Sequence, residues 1–107
     1  MARAGCSRYR GDMTGDMTGE VRRRAVVSGV VQGVGFRWSA RTVAQGLNVS
    51  GFARNRPDDT VEVEAEGSLA AVDEFIDWLR QGPPSASVTG VTIAELEPTG
   101  STTFDVG

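Results

Sequence analysis

The sequence predicts an α+β domain, and three observations carry the prediction. Short β-branched runs alternate with two segments of helical spacing, "VEVEAEG" at 61–67 alternates apolar and acidic residues with period two, and "RPDDT" at 56–60 supplies a tight turn between two strand runs. At 107 residues, 39% of them apolar and 23% charged, the chain suits one small domain with one modest core.

The elements follow in order. Residues 1–20 are rich in Gly, Asp, Thr and Arg, with "GDMT" at 11–14 repeated at 15–18, and are expected to be a disordered tail before a domain at 21–107. The repeat is too short for a solenoid. Val21 to Gly29 reads as a strand, and a loop runs from Val30 to about Phe36. Ala40, Val43, Ala44 and Leu47 then fall at i, i+3, i+4 and i+7, one buried stripe of a helix, with Asn48 as a left-handed stop. Val49 to Asn55 is a second strand, hairpinned through the 56–60 turn to the 61–67 strand, whose Glu62, Glu64 and Glu66 are expected on a solvated face.

Ser68 can cap a second helix running to about Gln81, with Leu69, Val72, Phe75, Ile76 and Leu79 facing the core, and Gly82, Pro83 and Pro84 end it. Strands from about Ser87 to Leu96 and at 102–106 complete the chain. The order β-α-β-β-α-β with a terminal strand is the split βαβ, or ferredoxin-like, arrangement: an antiparallel sheet with both helices on one face.

Composition narrows the chemistry. There is no histidine and no lysine, and all 11 basic residues are arginines, so the commonest general base, the commonest metal ligand and the usual amine nucleophile are missing. Cys6 is the only cysteine, which rules out an internal disulfide and a thiolate metal cluster within one chain and leaves a surface thiol as the simplest reading. Residues 1–24 hold six arginines against Asp12, Asp16 and Glu20, whereas 25–107 hold five against eleven acids. An acidic folded part argues against a nucleic-acid surface, and "RRR" at 22–24 reads as a solvated strand start or a small phosphate-seeking patch. No run is long and apolar enough for a membrane span and no secretory block opens the chain, so the expected setting is cytoplasmic, without nucleic-acid or membrane partners.

The loop "VVQGVGFR" at 30–37 is the richest stretch. Gly29, Gly33 and Gly35 permit positive φ and close approach, which lets successive N–H groups turn toward one point, and the following helix adds its positive N-terminal end. Arg37 falls in the first helical turn, where its planar fork suits a compact oxyanion, phosphate first. The same glycines can also exist merely to turn the chain. A P-loop needs a lysine that is absent, and Trp38 stands where the dinucleotide fingerprint needs its third glycine, so one phosphoryl group is the fitting size. Asn55, ending the second strand, can either serve its own backbone at the turn or hold a water for in-line attack.

So spare a site suits one kind of phosphoryl transfer. An alkoxide, with a parent pKa of about 15.7, needs a general acid or a metal to leave, whereas a carboxylate, with a pKa of about 4.3, departs unaided at neutral pH.

The string "SGVVQGVGFR", Ala44, Leu47, Gly51, Phe52, the "ARN" ending at Asn55 eighteen positions after Arg37, then "VEVEAEG", "GPPSASV" and "FDV" together closely resemble the acylphosphatase family over about residues 22–106. The resemblance implies a ferredoxin-like enzyme that hydrolyses the carboxyl-phosphate bond of a small acyl phosphate without metal, cofactor or covalent intermediate, and a monomer is expected. It implies that Arg37 binds phosphate, that Asn55 positions the attacking water, and that Val31, Gln32, Gly33, Val34, Gly35 and Phe36 cradle the phosphate through their backbone. Asn48 and Asp59 stand where many members have glycine, Phe52 where tryptophan is common, and Val30 where a polar or basic residue is frequent.

Of the remaining features, Asp58 and Asp59 read as turn residues, and Trp38 and Trp78 as packing at the edge of the core. The competing reading is a non-catalytic binding module on the same fold. An RNA reader would carry sheet aromatics and a basic face, and a metal carrier a C-x-x-C loop.

Overall fold

The computed structural model describes residues 20–107. The expected tail, its repeat and Cys6 lie outside the described residues, except that strand β1 begins at Glu20, one residue before the expected boundary. In chain order the elements are β1 (Glu20–Val30), α1 (Phe36–Gly46), β2 (Ser50–Asn55), β3 (Val61–Ser68), α2 (Leu69–Gln81), β4 (Ser87–Leu96) and β5 (Phe104–Val106). The sheet order is β4-β1-β3-β2-β5, antiparallel throughout except for the parallel β2–β5 pair. This is the expected ferredoxin-like α+β arrangement.

Alternation along the strands decides which side of the sheet meets the helices. Ala25, Val27, Ala53, Val61, Val63 and Ala65 point to the helical side and join Phe36, Ala40, Ala44, Val72, Phe75, Ile76, Leu79 and Phe104 in one buried cluster. Within it an aromatic chain runs from the start of α1 to β5. Trp78 lies 5.6 Å from Phe36 and stacks on Phe75 at 6.3 Å, and Phe75 meets Phe104 edge-on at 5.7 Å. Phe36 is 1% exposed, so the first residue of α1 is fixed by packing.

Both helices form where the spacing places them, and Ser68 caps α2 by accepting a hydrogen bond from the Ala71 amide at 3.2 Å. Leu69 departs from expectation at 49% exposed, because as the first residue of α2 it is in phase with the stripe but ahead of the packed turns. Val43 and Leu47 are only partly buried. Asn48 and Asp59 adopt left-handed φ values of 59° and 71°, as a helix stop and a tight turn require.

The opposite face of the sheet corrects two expectations. Glu62 and Glu66 are 6% and 3% exposed rather than solvated, and Arg22 is 6% exposed. Arg22 pairs with Glu64 and Glu66 at 2.8 and 2.9 Å, and Glu62 bridges Arg24 and Arg54, both at 2.8 Å. Arg23, pointing the other way, pairs with Glu95 at 2.7 Å and with Asp73 of α2. The three arginines are each paired with acids, and with Arg22 buried the stretch is not the solvated strand start expected of it. The period-two pattern had assigned the face correctly and could not reveal what covers it.

The cover is the connection from β4 to β5, which must cross from one edge of the sheet to the other. It makes contacts in strand order: Arg22 of β1 donates to the Thr99 and Ser101 hydroxyls, Glu66 of β3 accepts from the Thr99 and Gly100 amides at 2.8 Å, and Ser50 of β2 donates to the Ser101 carbonyl at 2.9 Å. Burial pushes the Glu66 carboxyl up, but the Thr99 amide, Arg22, the Gly100 amide and the Thr99 hydroxyl together bring it below its ordinary value. Arg54 and Arg24 do the same for Glu62 against its own burial.

Carboxylates held below their unfolded pKa stabilise the fold above about pH 4.3, and that contribution is lost as acid titrates the folded groups. Urea unfolding measured in steps from pH 7 to 3 should therefore show falling stability through the acid range. Glu66→Gln should be less stable at neutral pH with a shallower acid slope, and an unchanged slope would contradict the assignment.

Candidate active site

Residues 31–35 link β1 to α1 without regular structure, and both ends are pinned. Val31 and Phe36 are each 1% exposed, while Gly33 and Gly35 lie at the surface. The glycines are required by conformation: φ is 74° at Gly33 and 76° at Gly35, and nothing lies within 4 Å of where a Cβ would stand on either. Gly35 is the N-cap of α1 and gives it no side-chain cap, so the first-turn amides are not occupied by a capping oxygen. With the helix dipole behind them, these amides form a local positive pole.

Two side chains hold this loop, that of Gln32, expected to contribute only its backbone, and that of Ser85, which the sequence does not mark. Ser85, in the segment after α2, donates from Oγ to the Val34 carbonyl at 2.7 Å. In a trans peptide the next N–H points opposite to that carbonyl, so this bond turns the Gly35 amide away from Ser85. The Gln32 side chain donates from Nε2 to the Arg56 and Thr60 carbonyls at 2.8 and 2.9 Å, tying the loop to the β2–β3 turn.

Arg37 is the second residue of α1 and half-buried, adjoining the loop as expected. One of its donors, Nη1, reaches the main-chain oxygen of Gly107, whose own amide donates to the Ala53 carbonyl at 2.9 Å. Arg37 is thereby referenced to β2. Asn55 closes β2, exposed, on the strand separated from β1 by β3. Among the described residues its side chain forms no hydrogen bond. The turn is served instead by Asp58, which accepts from the Thr60 amide at 3.1 Å and its hydroxyl at 2.5 Å, bonds that hold the Asp58 carboxyl below its ordinary value. Asn55 borders a groove of about 420 Å³ lined also by Arg24, Arg54, Arg56, Pro57 and Glu62.

The structure thus places the glycine loop, Arg37 and the end of β2 at one end of the sheet, with Arg37 and Asn55 held by separate tethers. Trp38 departs from the expected packing at the core edge: it is 57% exposed, on the outer side of α1 with the Arg41 guanidinium 5.7 Å from its ring, whereas Trp78 packs at the core edge as expected. Among the described residues no helix is long and apolar enough to cross a membrane.

An open loop of left-handed glycines thus leads into a helix whose first turn has no side-chain cap and carries an arginine, on a ferredoxin-like α+β fold. The acylphosphatase family model matches residues 23–106, and the chain belongs to the acylphosphatase family of enzymes. An acylphosphatase of Alkalilimnicola ehrlichii is 54% identical over 74 residues, covering 69% of this chain and 83% of that protein. One of Gloeobacter violaceus is 49% identical over 86 residues, covering 80% and 92%. The solved structure of an acylphosphatase from Coxiella burnetii superposes with a TM-score of 0.82 at 35% identity, covering 89% of this chain and all of that one.

Because space is open above both loop glycines, substituting them tests conformation alone. Gly33→Ala and Gly35→Ala should each destabilise the fold by roughly 1–2 kcal/mol in urea unfolding, the ordinary cost of a side chain in the left-handed region. Wild-type stability in both variants would contradict that reading of the loop.

Proposed function

We propose that the protein hydrolyses the carboxyl-phosphate bond of small acyl phosphates, with the amides of Val31, Gln32, Gly33, Val34, Gly35 and Phe36 and the Arg37 guanidinium binding the phosphoryl oxygens and Asn55 orienting the attacking water. The observation that carries this reading is the uncapped start of α1: the Gly35 N-cap offers no side-chain oxygen, and Arg37 follows within the same turn.

In the reaction the water oxygen bonds to phosphorus as the bond from phosphorus to the acyl oxygen breaks. The electron pair leaves with the carboxylate, and the protons of the water remain with the phosphate product and solvent. A carboxylate with a pKa of about 4.3 needs no proton on departure, so no acid has to be supplied in a site without histidine or lysine. What remains is positioning and stabilisation of charge on the equatorial oxygens, which fixed amides and a guanidinium provide without reorganising. Asn55 has the chemistry for the water, since an amide both accepts and donates.

The alternative of an RNA-binding module finds little support on the sheet face away from the helices. That face carries arginine–carboxylate pairs crossed by the β4–β5 connection, and its aromatic residue, Phe52, lies under Arg54 at 5.2 Å.

Acetyl or benzoyl phosphate should release phosphate at the same rate in excess chelator, while a phosphomonoester stays nearly untouched. Arg37→Ala and Asn55→Ala should each lower turnover by about a hundredfold or more with the fold intact. Loss of activity on chelation would overturn the metal-free mechanism, and near-normal turnover in either variant would remove that residue from its role.

A further inference from the structure

We propose that Gln32 is a positioning residue for the attacking water, acting through its side chain rather than only as one of the loop's backbone donors. The inference rests on the assignment of Asn55 just made. β3 lies between β1 and β2, and its Val61 is paired with both Val27 and Asn55, so the sheet sets the two strands relative to each other only as far as that pair. Loop 31–36 lies beyond the last residue of the β1–β3 ladder, and its position relative to Asn55 needs a further link.

Among the described residues, the hydrogen bonds linking loop 31–36 to segment 55–60 are the two made by Gln32 Nε2, to the Arg56 carbonyl at 2.8 Å and the Thr60 carbonyl at 2.9 Å. Those carbonyls sit at the neck of the β2–β3 turn, where the Arg56 amide also donates to Thr60 at 2.9 Å. One primary amide thus satisfies both sides of the neck with its two N–H groups, immediately after Asn55 in the chain. Of the side chains of this length, only one with two N–H groups on a planar terminus fits that pair of acceptors. Glutamate would set an acceptor against two carbonyls, and methionine would keep the bulk and lose both bonds.

The consequence is a division of labour. Val34 is held from the other side by Ser85, so the amides facing the phosphoryl group keep their orientation when Gln32 is changed, whereas the end of β2 loses its reference to the loop. Loss of Gln32 should therefore act on turnover and spare phosphate affinity.

The test is a kinetic double-mutant cycle on the full chain with benzoyl phosphate as substrate and inorganic phosphate as competitive inhibitor, using Gln32→Met, Asn55→Ala and the double variant. Gln32→Glu serves as a second route should the first not fold. Turnover of Gln32→Met should fall about tenfold, with the phosphate inhibition constant within about twofold of wild type. In the Asn55→Ala background the same change should cost less than about twofold, since the group it positions is gone. Losses that multiply in the double variant, or an inhibition constant that rises as turnover falls, overturn the proposal. Gln32 variants at wild-type turnover beside a crippled Asn55→Ala overturn it alone. A wild-type protein without acyl phosphate hydrolysis, or an Asn55→Ala variant with full activity, overturns the functional reading together with it.

Discussion

The orientation of the peptide planes between Val31 and Phe36 is the constraint on which the rest of the structure depends. A backbone amide binds an anion only if it is aimed, and aiming five or six in succession fixes dihedral angles that an ordinary chain avoids. Here the left-handed glycines supply the turn, buried Val31 and Phe36 fix its ends, and Ser85 and Gln32 hold it from opposite sides. The fold contributes by bringing distant segments to that loop: the residues after α2 hold one carbonyl, and the β2–β3 turn receives the other tether. The binding loop proposed here is main chain, so what locks it has to come from side-chain contacts with segments outside it.

The charged face of the sheet serves the same end indirectly. Its ion pairs hold the β4–β5 connection across β1, β3 and β2, which delivers β5 beside β2 and sets Gly107 against Ala53 and Arg37. A long connection over open sheet would otherwise be mobile, and the end of the chain with it. Buried ion pairs are weak contributors to net stability, and the cost of burying Glu66 is offset by the four donors around it.

Much of this was legible in the sequence, and the reasons are local. The limits of β4, the capping of α2 by Ser68 and the left-handed Asn48 and Asp59 follow from propensities acting over a few residues, and the 61–67 alternation identified the two faces of β3. The placement of Arg37 beside the glycine loop followed from adjacency in the chain. What could not be read were partners distant in sequence. Nothing near Glu66 foretells that Arg22 and the Thr99 amide will surround it, and period two by itself puts the acids toward solvent. Ser85, and the side chain of Gln32 as distinct from its backbone, are illegible for the same reason: their partners are carbonyls of segments that only the folded chain brings near.

The economy of the site matches the reaction proposed for it. In the proposed mechanism a good leaving group removes the need for an acid and fixed dipoles take the part of a metal or a nucleophile, so most of the demand falls on geometry. The most direct measurement is a titration of the nitrogen-15-labelled protein with inorganic phosphate, following backbone amide resonances. A saturable shift confined to Val31–Phe36 and the first turn of α1, abolished in Arg37→Ala, is the expected result. Shifts spread over other surfaces, or none at the loop, would contradict the account.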